Sequence, residues 1–151
     1  MAGFFTNNVI DLELANNQTG HATPGTGLLD SASIGLVNSN SVQLNRNTEM
    51  ADLLPVEGGF PGYARQEVTW NGASIADDGT VEAVGVVPEF RPSGSSTVSI
   101  WGLFMTSDVS TTLVGCGPVD NPPTPMVDGT SALVITMRWR PQTGGVTVDV
   151  T

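Results

Sequence analysis

The chain contains no lysine, a single histidine and a single cysteine among its 151 residues. Each shortage removes a class of function. Cys116 has no second cysteine to pair with, and as a nucleophile it would need a basic partner. His21, the sole histidine, falls in a polar stretch with nothing to make it a base for a distant thiol. Cys116 is therefore read as a small buried hydrophobe at an apolar strand end. The five bases, all arginine, face fifteen acids. A net charge of −10 leaves no basic stripe to neutralise phosphates, so no nucleic-acid partner is expected. Long apolar runs are missing as well: none approaches the roughly 20 residues of a membrane span, and no membrane partner is expected. The first residues offer neither a basic n-region nor a sustained apolar h-region, so no targeting segment is expected.

Charged residues make up only 13% of the chain, which leaves the surface to Asn, Ser, Thr and Gly. That composition suits an all-β, turn-rich protein, and the length suits one domain with a core that needs neither disulfide nor metal. Asp77-Asp78 supplies two adjacent acids where a calcium loop needs about six to eight oxygens, and it is read with Gly79 as a tight turn. One histidine and one cysteine make no acid–base pair. No catalytic residue, cofactor or metal site is expected.

The stretch that organises the chain is 58–70. Gly58-Gly59-Phe60-Pro61-Gly62 forms a corner that runs into a strand with period-2 alternation. Tyr63, Arg65, Glu67 and Thr69 share one face; Ala64, Gln66, Val68 and Trp70 share the other, which Val68 and Trp70 turn towards the core. Tyr63 and Arg65 are the candidate structural residues. Beside a Gly/Pro corner they are expected to hydrogen-bond its free carbonyls, bracing the Phe60-Pro61-Gly62 turn and setting the strand register. The alternative places Arg65 at an interface, as an exposed anchor for a partner.

Before the corner, 32–37 reads as a short apolar strand and 38–50 as a polar excursion, with Val42 and Leu44 in a weak edge strand. Residues 1–29 are Asn/Gly/Thr-rich, with only Ile10, Leu12 and Leu14 in a core pattern, and read as an attachment arm ordered by a partner. After the corner, Asn71-Gly72 is a hairpin turn and 81–87 a strand. Residues 97–105 read as one strand that is apolar on both faces, covered by a second sheet or by a neighbouring subunit. A strand follows at 111–115, and the four prolines within 118–128 predict a rigid irregular connection. Residues 133–140 turn Leu133, Ile135, Met137 and Trp139 inward and Thr136, Arg138 and Arg140 outward, the arginines pairing with acids on a neighbouring strand or subunit. Val146, Val148 and Val150 close the chain in a last strand. Trp70, Trp101 and Trp139 are read as core residues; a carbohydrate groove would require them exposed together.

The block Gly62-Tyr63-Ala64-Arg65-Gln66-Glu67-Val68-Thr69-Trp70, followed by the hairpin, Trp101-Gly102-Leu103-Phe104-Met105 and Leu113-Val114-Gly115-Cys116-Gly117, resembles a group of small tailed-bacteriophage virion proteins. These carry a "GYARQ-V-F" block, an apolar strand around "WG", an "L-G-G-L" block and a terminal strand pair. Gly129-Thr130 and 133–137 correspond to a turn and the last long strand. The match covers roughly 34–136. Departures are the polar segment near the start and the four-proline connection.

The resemblance implies a non-enzymatic virion structural protein: a capsid decoration (cement) protein on the outer capsid surface, made in the host cytoplasm, with the major capsid protein as partner. The alternative is a tail or fibre component that binds a host surface glycan. The expected fold is a single-domain antiparallel β-sandwich over 30–151, jelly-roll-like, of about eight strands, preceded by the 1–29 arm. A homo-oligomer is expected from the two-faced apolar strand.

Overall fold

The computed structural model describes residues 32–70, 74–75, 77–79, 81–94, 97–107, 112–127, 131–140 and 145–150. The expected 1–29 arm, His21 and the Asn71-Gly72 turn lie outside them. In chain order the elements are β1 (Ala32–Val37), a short helix α1 (Met50–Leu53), a 3-10 turn (Leu54–Val56), β2 (Gln66–Glu67), β3 (Thr69–Trp70), β4 (Ser74–Ile75), β5 (Val81–Val86), β6 (Val98–Ile100), β7 (Gly102–Ser107), β8 (Leu113–Pro118), β9 (Thr124–Met126), β10 (Ile135–Arg140) and β11 (Gly145–Val150). The fold is all-β, and the strand pairings are antiparallel.

Two sheets carry it. One is ordered β2-β1-β7-β8; the other is β11-β10-β5-β3, with β4 paired to β5 off that path. β6 and β9 form a separate two-stranded ribbon. The sheets share a core because alternation puts Ala32, Ile34 and Leu36 of β1 and Leu103 and Met105 of β7 on one side, where they meet Ile135 and Met137 of β10 in one buried cluster. Val68, Val87, Phe90 and Ile100 also belong to it. The inward face expected of Leu133, Ile135 and Met137 is the observed one.

A second buried cluster lies on the opposite face of the four-stranded sheet. Val37, Phe104, Leu113 and Cys116 meet Leu53 and Val56, with Val42, Leu44 and Met50 packed against them. This explains how β7 can be buried along its whole length. Its second apolar face is covered by the chain's own 38–57 segment, so the two-faced pattern does not call for a neighbouring subunit. The same finding corrects the weak edge strand assigned to Val42 and Leu44. These residues form no strand; they are apolar plugs in an irregular cover, Leu44 lying over Gly102 where a Cβ would collide with it. Thr48 ties the cover: its hydroxyl donates to the Gln43 carbonyl (3.1 Å) and accepts from the Asn45 amide (2.9 Å). Cys116, buried as expected, sends its thiol towards the Asn45 carbonyl (3.5 Å). Burial pushes that thiol's pKa up, which opposes thiolate formation.

Two expected strands turn out to be divided. The 63–70 strand changes sheets at Val68: Gln66–Glu67 pairs with β1, and Thr69–Trp70 pairs with β5. Val68 is the buried hinge between them, its amide donating to the Ala32 carbonyl at 2.8 Å. The 97–105 strand breaks at Trp101. β6 pairs with β9 and β7 with β1, and the break resets the alternation so that Ile100 and Leu103 enter the same core. The proline connection is also less irregular than expected, because Thr124–Met126 pairs with β6; proline is tolerated in so short an outlying ribbon. A register shift at Met105/Thr106 inserts Val114 into the main core and leaves Leu113 and Cys116 on the cover side.

Candidate functional site

The corner is built from its backbone first. Gly59 (φ 76°) and Gly62 (φ 84°) take the left-handed conformations that its reversals require. The Tyr63 amide donates to the Phe60 carbonyl (2.9 Å), and the Ser93 amide donates to the Pro61 carbonyl (2.9 Å). Two of the corner carbonyls expected to receive the Tyr63 and Arg65 side chains, those of Phe60 and Pro61, are thus already bonded by backbone donors.

Both side chains go instead to Glu57. The Tyr63 hydroxyl donates to Glu57 Oε1 at 2.7 Å. Arg65 grips the carboxylate as a fork, Nε to Oε1 at 2.7 Å and an Nη to Oε2 at 2.8 Å. The Tyr63 hydroxyl also accepts from the Leu36 amide at 3.2 Å. That last bond explains the arrangement. β2 pairs with β1 only at Ser33 and Ile34, while the 56–58 segment takes over at Leu36 and Asn38, through Gly58 N–H to the Leu36 carbonyl (2.8 Å) and Asn38 N–H to the Val56 carbonyl (2.9 Å). The Leu36 amide falls in the gap, and the phenol fills the vacant ladder position.

Packing holds the phenol and the guanidinium in place. The Tyr63 ring lies where a Cβ on Gly58 would be, edge-on to Phe60 (centroids 5.2 Å) and stacked near Phe90 (6.3 Å). The Arg65 guanidinium sits 5.2 Å from the centroid of the Phe104 ring. The far end of the Phe104 ring in turn fills the space a Cβ on Gly35, its cross-strand partner, would occupy. The Glu57 carboxyl is held below its ordinary value, first by the Arg65 hydrogen bonds and, against some desolvation, by Tyr63. Desolvation, with the Glu57 carboxylate beside it, pushes the Tyr63 pKa up.

Tyr63→Phe removes both bonds at once and leaves the buried Leu36 amide without its acceptor. The expected loss is about 1–3 kcal/mol, read as a lower urea midpoint with unchanged slope. A wild-type midpoint in this variant would mean that water replaces the phenol without penalty.

Sequence reasoning chose Tyr63 and Arg65 and missed Glu57. The available signal was opposite charge close in sequence, but Glu67 offered the same and sits nearer to Arg65. Only the return of 56–58 alongside β1 selects between them.

A second feature lies at the break between β6 and β7. Trp101, Pro118, Pro122, Val42, Asn40 and Gln43 are among the residues that line a shallow pocket of about 220 Å³. Trp70 is not part of it: its indole packs over Gly85 against the main core. The three tryptophans therefore do not share one groove through Trp70 and Trp101, and the Trp139 side chain is outside the described set. No group of three or more His, Cys, Asp or Glu able to hold a metal occurs among the described residues, and no helix among them is long and apolar enough to cross a membrane. No family model, curated protein or solved structure matches the chain.

Proposed function

We propose that the chain is a non-enzymatic virion structural protein of a tailed bacteriophage, a capsid decoration protein that bridges major capsid subunits from the outside of the head. The observation that carries this reading is the Gly62-to-Gln66 block. It is the part of the sequence with the most specific likeness to such proteins, and here its Tyr63 and Arg65 side chains join the corner, the 56–58 return and the edge of β1 into one rigid unit. A protein that stabilises a shell needs rigid elements and a soluble surface, and the −10 charge supplies repulsion between free copies. The sandwich is read as jelly-roll-like. Self-association would use the outer face of the five-stranded sheet, where Val86 of β5 is exposed, since the other sheet's outer face is covered by its own chain.

Immunogold labelling of virions with antibody to this chain tests the proposal. Gold distributed over the head is the expected result. Gold confined to the tail would replace it with the tail or fibre reading, and unlabelled virions would remove the virion role altogether.

A further inference from the structure

We propose that the pocket at Trp101 is a binding site for a neutral saccharide. Its lining carries no charge, although the chain has fifteen acids and five arginines. A phosphate, a carboxylate or a cationic head group would find no counter-charge there. The lining is mostly apolar, with Trp101, Pro118, Pro122, Val42 and Leu44, and its polar residues are Ser39, Asn40 and Gln43.

Trp101 is fixed from both sides. Its amide donates to the Val37 carbonyl (2.7 Å) and its carbonyl accepts from the Val119 amide (3.2 Å), so the main chain is held at the strand break that exposes part of the residue. The Ser39 hydroxyl is already engaged, donating to the Ser41 hydroxyl (3.0 Å) and accepting from its amide (3.2 Å). That leaves Asn40 and Gln43 as the other polar residues of the lining. Both are exposed, and neither side-chain amide has a hydrogen-bond partner among the described residues. Each amide presents a donor and an acceptor side by side, which matches a pair of neighbouring hydroxyls. An indole surface matches the C–H face of a pyranose ring, for which water is a poor competitor.

The size sets the stoichiometry and the strength. About 220 Å³ lies below the roughly 300–1,000 Å³ of sites that enclose a drug-sized ligand, so the pocket receives one ring of a longer chain. Affinity is then on the order of millimolar for a single glycan, becoming useful only when many copies act together, as they would on a particle. An extended proline-rich peptide is the competing occupant. It fits less well because about 220 Å³ has room for one proline ring and not for the run of residues by which such peptides are read. The pocket's chemistry stands apart from the choice between head and tail.

The test is saturation-transfer NMR on the full chain with maltotriose, cellotriose, triacetylchitotriose and a galactose disaccharide, and with a proline-rich peptide beside them. Expected is transfer to the ring C–H protons of at least one sugar, with Trp101→Ala weakening it by roughly tenfold or more and Trp101→Phe by less. Because Trp101 also stands at a strand break, the double variant Asn40→Ala/Gln43→Ala, in exposed residues, is the folding-neutral control and should weaken binding of the same sugar severalfold. No transfer to any sugar of the panel at about 10 mM would overturn the proposal on the affinity scale above. Sugar binding that survives both the Trp101 and the double variant would also overturn it, as would transfer to the peptide alone.

Discussion

Replacing Phe104 by alanine lowers the stability of the free protein by about 3–5 kcal/mol, the usual range for deleting a fully buried aromatic ring. Phe104 is 0% exposed and lies between two features that depend on it. Beneath it is Gly35, whose missing side chain is the space the ring fills; above it is the Arg65 guanidinium. The loss therefore includes a cavity on the cover side and a stacking surface worth about 0.5–1 kcal/mol where the arginine is partly exposed. In a chain of this length it appears as a fall in Tm of roughly 10 °C or more. Gly35→Ala is destabilising by itself, because the new methyl meets the ring across the strand pair. In the Phe104→Ala background that collision is gone, and the same glycine substitution should become nearly neutral. Additive effects of the two changes would show that the ring and the glycine do not share this space.

Replacing Glu57 by glutamine or alanine is expected to have the next largest effect, about 2–3 kcal/mol for alanine, the scale of hydrogen bonds to a charged group. Three donors converge on this one carboxylate: the Tyr63 hydroxyl and two nitrogens of Arg65. The Glu57 side chain is 15% exposed and that of Arg65 is 35%, so solvent screens the pair on the arginine side and the estimate stays below that for a fully buried bridge. The sign of the pH dependence follows from the depressed carboxyl pKa. As pH falls below the ordinary value near 4.5, the unfolded chain takes up a proton while the folded one still holds Glu57 ionised. Stabilisation is thus complete above that value and is lost as pH falls through the folded pKa. Glu57→Gln keeps the shape and should flatten this part of the acid limb, measured as urea midpoint against pH between about 3 and 6. An acid limb identical to that of the wild type would assign the linkage to other carboxylates. At the alkaline end Tyr63 acts in the opposite sense: its raised pKa means that stability falls as pH climbs above 10.0, an effect absent in Tyr63→Phe.

Alternation and composition by themselves determined that this chain is all-β. They placed Val68, Leu133, Ile135 and Met137 correctly in the core, because a period of two is a local property of the strand and shows wherever one face is dry. Asp78-Gly79 was legible as a turn for the same kind of reason: Gly79 takes φ 81°, a need satisfied within a few residues. The two breaks were not legible. Nothing in the alternation of 63–70 or 97–105 says that a strand leaves one sheet at Val68 or pauses at Trp101, since both changes serve partners that are remote in sequence. The cover was hidden too. Val42, Leu44, Met50, Leu53 and Val56 follow no single period, and only a second apolar face on β7 gives them something to plug.

The brace shows the same division at the level of single side chains. That Tyr63 and Arg65 would seek hydrogen-bond partners beside the Gly/Pro corner was an expectation from the sequence. Which partner they find was not legible there. The Phe60 and Pro61 carbonyls are taken by the amides of Tyr63 and Ser93, and the acceptor both side chains reach is Glu57, delivered by a segment that returns along β1 only in the folded chain. Hydrogen bonds within a turn are local and can be read from residue order. A ladder position left vacant between β2 and the 56–58 return exists only once three separate segments are side by side, and that is decided by tertiary structure alone.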